Sequence, residues 1–193
     1  MRRVIGAALV LATLTAATLS AASRGGNLNA SSGPIVIDRV AIDPVRKTAE
    51  TVVGRIVPPT GPRRELQALD FVASRPDLFG LRDPRGELRL LREESDRFGQ
   101  HHLRFDQLHE GLRIWGCQKV VHFTPQDEIY MIAGQTIATP SIAISPTVPS
   151  NAAEITAFDA AAEAIGLYAV RSETELLVFP DEGLPKLAWL VTI

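Results

Sequence analysis

The chain has 193 residues, 46% of them hydrophobic and 22% charged, with 20 lysines and arginines against 22 aspartates and glutamates. A net charge of −2 removes the electrostatic case for nucleic acid, and ordinary apolar content excludes disorder of the whole. The single cysteine, Cys117, excludes an internal disulfide framework and a multi-cysteine zinc module.

Arg2 and Arg3 precede an apolar run from Val4 to Leu14, followed by small residues through Ala21-Ala22-Ser23. A positive start, a short apolar stretch and a small-residue exit predict a secretory signal peptide over 1–22, cleaved after Ala22. The 16 residues from Val4 to Leu19 include three threonines, short of the roughly 20 apolar residues that a membrane span needs. The expected product is secreted, periplasmic or extracellular, and free of the membrane once the signal is removed.

Residues 23–62 read as an N-terminal extension and linker. They hold a polar, glycine-rich tether over 23–33 and two β-rich runs, Ile35–Ile42 and Thr48–Val57. Pro58-Pro59-Thr60-Gly61-Pro62 then breaks regular structure, because proline lacks a donor and restricts its predecessor. Leu66, Leu69, Val72 and Ala73 at helical spacing predict a helix over Glu65–Ser74. Pro76 stops it, Gly80 closes a further turn, and Asp83-Pro84-Arg85-Gly86 reads as a β-turn.

Strands follow in quick succession: Glu87–Glu94, His102–Leu108, Leu112–Trp115, Cys117–Phe123 and Glu128–Ile137. Glu110-Gly111 and Thr124-Pro125-Gln126-Asp127 supply tight turns, so the run predicts an antiparallel meander. Along Cys117–Phe123, Cys117, Lys119, Val121 and Phe123 face one way and Gln118, Val120 and His122 the other. With one helix before the strands, the expected fold is α+β: a helix packed on one face of an antiparallel, cystatin-like sheet over 63–140. Prolines at 140, 146 and 149 mark a second linker, 141–149. Asn151 and Glu154 have capping-box spacing at the head of a helix with Ile155, Phe158, Ala162 and Ile165 as its stripe and Gly166 as its stop. A hairpin of Glu175–Pro180 and Lys186–Ile193, turned at Asp181-Glu182-Gly183, completes a partial helix-plus-hairpin module over 150–193.

The charge is unevenly spread. Residues 24–119 carry a net +3 and residues 120–193 a net −7, as expected of two modules of different composition. No catalytic constellation emerges. His109-Glu110 opens like a zinc-peptidase helix, but Arg113 stands where the second histidine belongs and the pair lies at a strand turn. His101 and His102 are adjacent and so point to opposite faces of a strand, and Cys117 and His122 are likewise opposed. G-x-S-x-G and G-x-G-x-x-G are absent. The chain is therefore expected to be no enzyme, with no cofactor and no metal.

Several spaced motifs carry a resemblance. Ala68-Leu69-Asp70-Phe71, Leu78-Phe79-Gly80-Leu81, Leu103-Arg104-Phe105-Asp106-Gln107, Gly111-Leu112-Arg113-Ile114-Trp115-Gly116 and Val120-Val121-His122-Phe123 follow one another in an order that resembles the FTP domain. This is the propeptide module of fungalysin- and thermolysin-like zinc metallopeptidases. Arg104, Gln107, Gly111, Trp115, Gly116 and His122 are the motif positions. Gly111 and Gly116 suit turn or bulge geometry, and Arg104 and Gln107 suit bonds within the sheet. Residues 150–193 are similar to the start of a PepSY module, of which the later strands are missing, as is a catalytic domain with H-E-x-x-H.

The resemblance implies a folding assistant and inhibitor of a secreted thermolysin-like zinc metallopeptidase, whose catalytic domain is the expected partner. Two alternatives stand beside it. One is an N-terminal fragment of a full-length metallopeptidase precursor, suggested by an end on Ile193 within an apolar strand. The other is an unrelated extracellular protein-binding module.

Overall fold

The computed structural model describes residues 35–56, 63–165, 172–181 and 184–192. The signal peptide over 1–22, the tether over 23–33, the break at Pro58–Pro62, the stop at Gly166, the turn residues Glu182-Gly183 and Ile193 lie outside them.

Strands β1 (Ile35–Ile42) and β2 (Ala49–Ile56) form a hairpin. Its loop is set by Asp43, whose carboxylate accepts the N–H groups of Val45 at 2.8 Å and Arg46 at 3.0 Å. Those bonds hold the Asp43 carboxyl below its ordinary range, the one to Arg46 most strongly. Ala49, Val52 and Ile56 point into the core.

Helix α1 (Arg64–Ser74) buries Ala68, Leu69, Phe71 and Val72. Leu66 and Ala73, expected in its stripe, are exposed, so the buried face is turned towards Phe71. Helix α2 (Pro76–Phe79) ends at Gly80, which takes the left-handed conformation at φ 68°. The expected β-turn at Asp83–Gly86 is instead a helical turn, α3 (Pro84–Glu87). The carbonyl of Asp83 accepts the N–H groups of both Gly86 and Glu87, and the Glu87 carboxylate reaches back to the N–H groups of Asp83 and Arg82 at 2.8 and 3.0 Å. That second set of bonds carries the turn one residue further than a β-turn extends.

Strands β3 (Leu88–Ser95), β4 (His101–His109), β5 (Leu112–Phe123) and β6 (Ile129–Ala133) form the expected antiparallel meander. The two strands expected before and after Gly116 are one continuous β5. The sheet order is β1-β2-β6-β5-β4-β3, because β2 pairs antiparallel with β6. The two β-rich runs that the sequence sets apart within 23–62 are thus strands of this same sheet. Short apolar strands with no local partner pair wherever their unpaired backbone groups find an edge.

The helices cover one face of the sheet. Ala68, Leu69, Phe71, Val72 and Phe79 form one cluster with Val52, Leu103, Phe105, Val121, Phe123 and Ile132. Phe71 and Phe79 meet edge-on with ring centroids 6.3 Å apart. Each such side chain contributes about 1.5–3 kcal/mol of burial, which is what holds α1 to the sheet. The architecture is mixed α+β.

Beyond β6 the chain runs without regular structure to helix α4 (Ser150–Ile165). No capping box forms. Asn151 lies inside the helix and its side chain accepts the next N–H, from Ala152, while Glu154 accepts the Thr174 hydroxyl at 2.6 Å. Ile155, expected in the stripe, is 59% exposed, whereas Phe158 and Ala162 are half-buried. Strands β7 (Glu173–Asp181) and β8 (Leu184–Thr192) form the expected hairpin. It joins the main sheet through one parallel pairing, Ile114 with Val178. The Trp189 indole N–H donates to the Val148 carbonyl at 2.8 Å. Among the described residues, no helix is long and apolar enough to cross a membrane.

Candidate functional site

The β4–β5 hairpin organises every motif position. Its turn is Glu110-Gly111, with φ of 47° and 88°, the pair of positive angles that a two-residue turn of this hand requires. From the turn the ladder runs His109–Leu112 and Leu108–Arg113, then breaks. On β4 Gln107 alone separates Leu108 from Asp106, whereas on β5 Ile114, Trp115, Gly116 and Cys117 separate Arg113 from Gln118. This is a large bulge of three extra residues, and Gly116 turns it at φ 67°.

The bulge has two consequences. First, it leaves Gln107 without a partner on β5, although Leu88 of β3 still faces it on the other side. The Gln107 side chain, fully buried, bonds instead to Ile137, donating to its carbonyl at 2.7 Å and accepting its N–H at 2.9 Å. The same stretch is pinned at two further points. His109 Nε2 lies 2.9 Å from the Ile142 carbonyl, and the Thr139 hydroxyl bonds the Glu87 carboxylate at 2.8 Å. Second, the bulge lets the start of β5 serve another hairpin. Arg113 forms a two-pronged bond to Glu175 of β7, at 3.0 and 2.6 Å. That contact raises the Arg113 guanidinium and lowers the Glu175 carboxyl from their ordinary values.

Trp115 stands out from the bulge, 40% exposed, with the Arg113 guanidinium 5.2 Å from its ring centre. At that exposure the ring is partly covered and partly presented.

Past the bulge, β5 alternates as the sequence predicts. Cys117, Lys119, Val121 and Phe123 are buried on one face, while Gln118, Val120 and His122 are half-buried on the other. That open face carries a polar chain across three strands. Arg104 donates to the Gln118 side-chain oxygen Oε1 at 3.0 Å, and the Gln118 side-chain amide Nε2 donates to Asp106 at 2.7 Å. Arg89 of β3 lies 3.9 Å from the far oxygen of Asp106.

Beside it, His102 and His122 bring their Nδ1 atoms to 2.8 Å. Their rings meet edge-on at 4.9 Å, and Tyr130 packs against His122 at 5.7 Å. The Tyr130 hydroxyl donates to Gln100 at 2.9 Å, and His102 Nε2 lies 3.7 Å from Asp96. Burial pushes His122 down to about 4, with His102 and Arg104 adding to the effect. Asp96 is held below the usual carboxylate range: desolvation pulls it up, and the N–H groups of Gln100 and Phe98 together with His102 outweigh it.

The structure therefore divides the six motif positions into two groups. Arg104 and His122 share the open face; Gln107, Gly111, Trp115 and Gly116 shape the bulged end of the hairpin. Sequence reasoning weighed His102 and His122 converging across strands only as metal ligands with Cys117, not as a direct pair, and it passed over Asp106, Gln118, Tyr130 and Glu87. It placed Lys119 on the core face without foreseeing its burial. Lys119 is 1% exposed, its ammonium bonds the carbonyls of Ala49 and Gly134, and Phe79 lies 5.6 Å away.

The chemistry of the remaining polar groups is structural. Cys117 is fully buried, and desolvation pushes its thiol up, away from the reactive thiolate. Among the described residues, no cluster of three or more His, Cys, Asp or Glu is arranged to hold a metal ion. A groove of about 460 Å³ lies between the β1–β2 loop, Gln135–Ala138 and the prolines of the β7–β8 hairpin. It gathers Asp43 and Arg46 but no nucleophile with a base.

Residues 86–136 match the family model described as Fungalysin/Thermolysin Propeptide Motif. The matched stretch runs from the end of α3 through β3, β4, β5 and β6, and contains all six motif positions. No curated protein matches the chain.

Proposed function

We propose that the chain acts as a propeptide-like folding assistant and inhibitor of a secreted thermolysin-like zinc metallopeptidase, without being an enzyme itself. The observation that carries this reading is the propeptide-motif match over 86–136, which falls on the bulged hairpin and its neighbouring strands. Propeptides of this kind associate with the catalytic domain of their peptidase, and that domain is the partner we assign. The helix-on-sheet layout suits a cystatin-like module, and residues 150–193 a partial PepSY-like one. Export follows from the signal peptide read at 1–22. A presented, guanidinium-backed Trp115 and a half-open polar sheet face are the kinds of surface that a partner domain covers by shape and hydrogen bonding.

The test uses the full chain, freed of its signal peptide, at stoichiometric amounts with a related thermolysin-like peptidase. Slowed hydrolysis of a peptide substrate, or a raised yield of active peptidase on refolding from denaturant, supports the role. No effect in either assay overturns it.

A further inference from the structure

The His102–His122 contact has room for one proton between the two Nδ1 atoms and no more. At 2.8 Å one ring donates and the other accepts. His102 Nε2 faces Asp96 at 3.7 Å, so a charge on that ring has a carboxylate beside it. A second proton sets N–H against N–H across the same gap.

The surroundings decide how that second charge is received. On β4, Arg104 adds a positive charge on the side of His122. On β6, Tyr130 offers a neutral ring, and Met131 is the register partner of His122. On β5 itself, the neighbours on this face are Gln118 and Val120. In the 96–100 turn, Asp96 is engaged by the N–H groups of Phe98 and Gln100, and Gln100 is taken by Tyr130. On β3, Glu94 stands opposite His102 but pairs with Arg92 at 3.1 Å. The carboxylates thus sit on the side of His102, and His122 meets cations and neutral groups.

We propose that the His102–His122 pair is an acid-sensitive latch on the open face of the sheet, closing β4 against β5 near neutral pH and forced apart as the medium acidifies. The latch concerns the chain alone and holds whatever partner the open face binds. Its direction follows from proton linkage. His122 binds its proton less readily in the folded chain, at about 4, than in the unfolded chain, near 6.5. The unfolded state therefore holds more protons between those values, and stability falls as pH drops through that window. Full burial would correspond to a roughly 300-fold change in the unfolding constant, and partial exposure reduces this to tenfold or more.

The experiment is equilibrium unfolding of the whole chain in urea at steps between pH 7.5 and 4, for the unaltered protein and for His122→Gln. The expected result is an unfolding constant that rises on acidification at least tenfold more in the unaltered chain than in the variant, the carboxylates held low in the fold contributing equally to both. An equal rise in both overturns the latch. If His122→Gln does not fold, the ring resonances of the four histidines in the unaltered chain decide the matter. A His122 midpoint at least one pH unit below that of His101 supports the latch, and a midpoint near 6.5 overturns it.

Discussion

Gln107 and Ile137 pair as two strand residues would, but one partner is a side chain: the Gln107 amide donates to the Ile137 carbonyl at 2.7 Å and accepts its N–H at 2.9 Å. The side chain thereby stands in for the ladder that the β5 bulge interrupts, and it ties the irregular segment after β6 to the sheet.

Replacing Gln107 with leucine leaves both Ile137 groups without partners in a partly buried setting. Two unmade backbone bonds cost about 2–3 kcal/mol together, seen as a lower urea midpoint with an unchanged slope. Gln107→Glu buries a carboxylate against the Ile137 carbonyl, so at neutral pH its midpoint falls at least as far as that of the leucine variant, and the deficit shrinks on acidification as the acid form restores the donor.

Lys119 gives an alkaline signature. Burial lowers its ammonium to about 8, against about 10.5 in an unfolded chain. The unfolded state therefore binds more protons between these values, and stability rises with pH across them. Measured as the difference between the unaltered chain and Lys119→Met, the rise is roughly 1–3 kcal/mol from pH 8 to 10.5. Taking the difference cancels Tyr130, held above its ordinary value by burial; Cys117, whose thiol feels the Lys119 charge, is removed by making Cys117→Ala in both proteins.

Two glycines separate backbone strain from crowding. A Cβ at Gly116 meets nothing within 4 Å, so Gly116→Ala pays only for its φ of 67°, about 1–2 kcal/mol. At Gly134 a Cβ would sit 2.4 Å from the Gln118 carbonyl oxygen, at φ 104°. Gly134→Ala is expected to lose at least twice as much in thermal or urea unfolding.

Trp115 separates binding from folding. It is 40% exposed and belongs to neither buried apolar cluster, so Trp115→Ala costs only about 1–2 kcal/mol of stability, from partial cover and the Arg113 contact. If the bulge meets the peptidase, the same variant weakens inhibition at least tenfold, as loss of a tryptophan anchor does at protein interfaces. Inhibition titrations on both proteins, beside their melting curves, check this.

What was legible in the sequence was local. The alternation from Cys117 to Phe123, the Glu110-Gly111 turn and the β7–β8 hairpin each follow from neighbouring residues. What was not legible depends on partners far along the chain. Counting from the turn, an unbroken ladder sets His102 against Lys119; the three extra residues of the bulge set it against His122 instead. Nothing near Gly116 announces how many residues the bulge holds, so the direct register of His102 against His122 was hidden although the two histidines were weighed together as metal ligands. The pairing of β2 with β6 spans more than seventy residues and leaves no local trace. The capping box failed for a similar reason, since Thr174 of a distant strand claims Glu154.

The burial of Lys119 also bears on how a complex of this chain is mapped. The sequence has 17 arginines and only three lysines, Lys47, Lys119 and Lys186. With Lys119 enclosed, amine-directed cross-linkers find side-chain handles only on Lys47, in the β1–β2 loop, and on Lys186, near the tip of the last hairpin. The open sheet face and the bulge carry none, so a partner seated there stays silent to such reagents. Carboxylate- or arginine-directed chemistry, which can reach Arg89, Arg113 and Glu175, is the labelling that would register it.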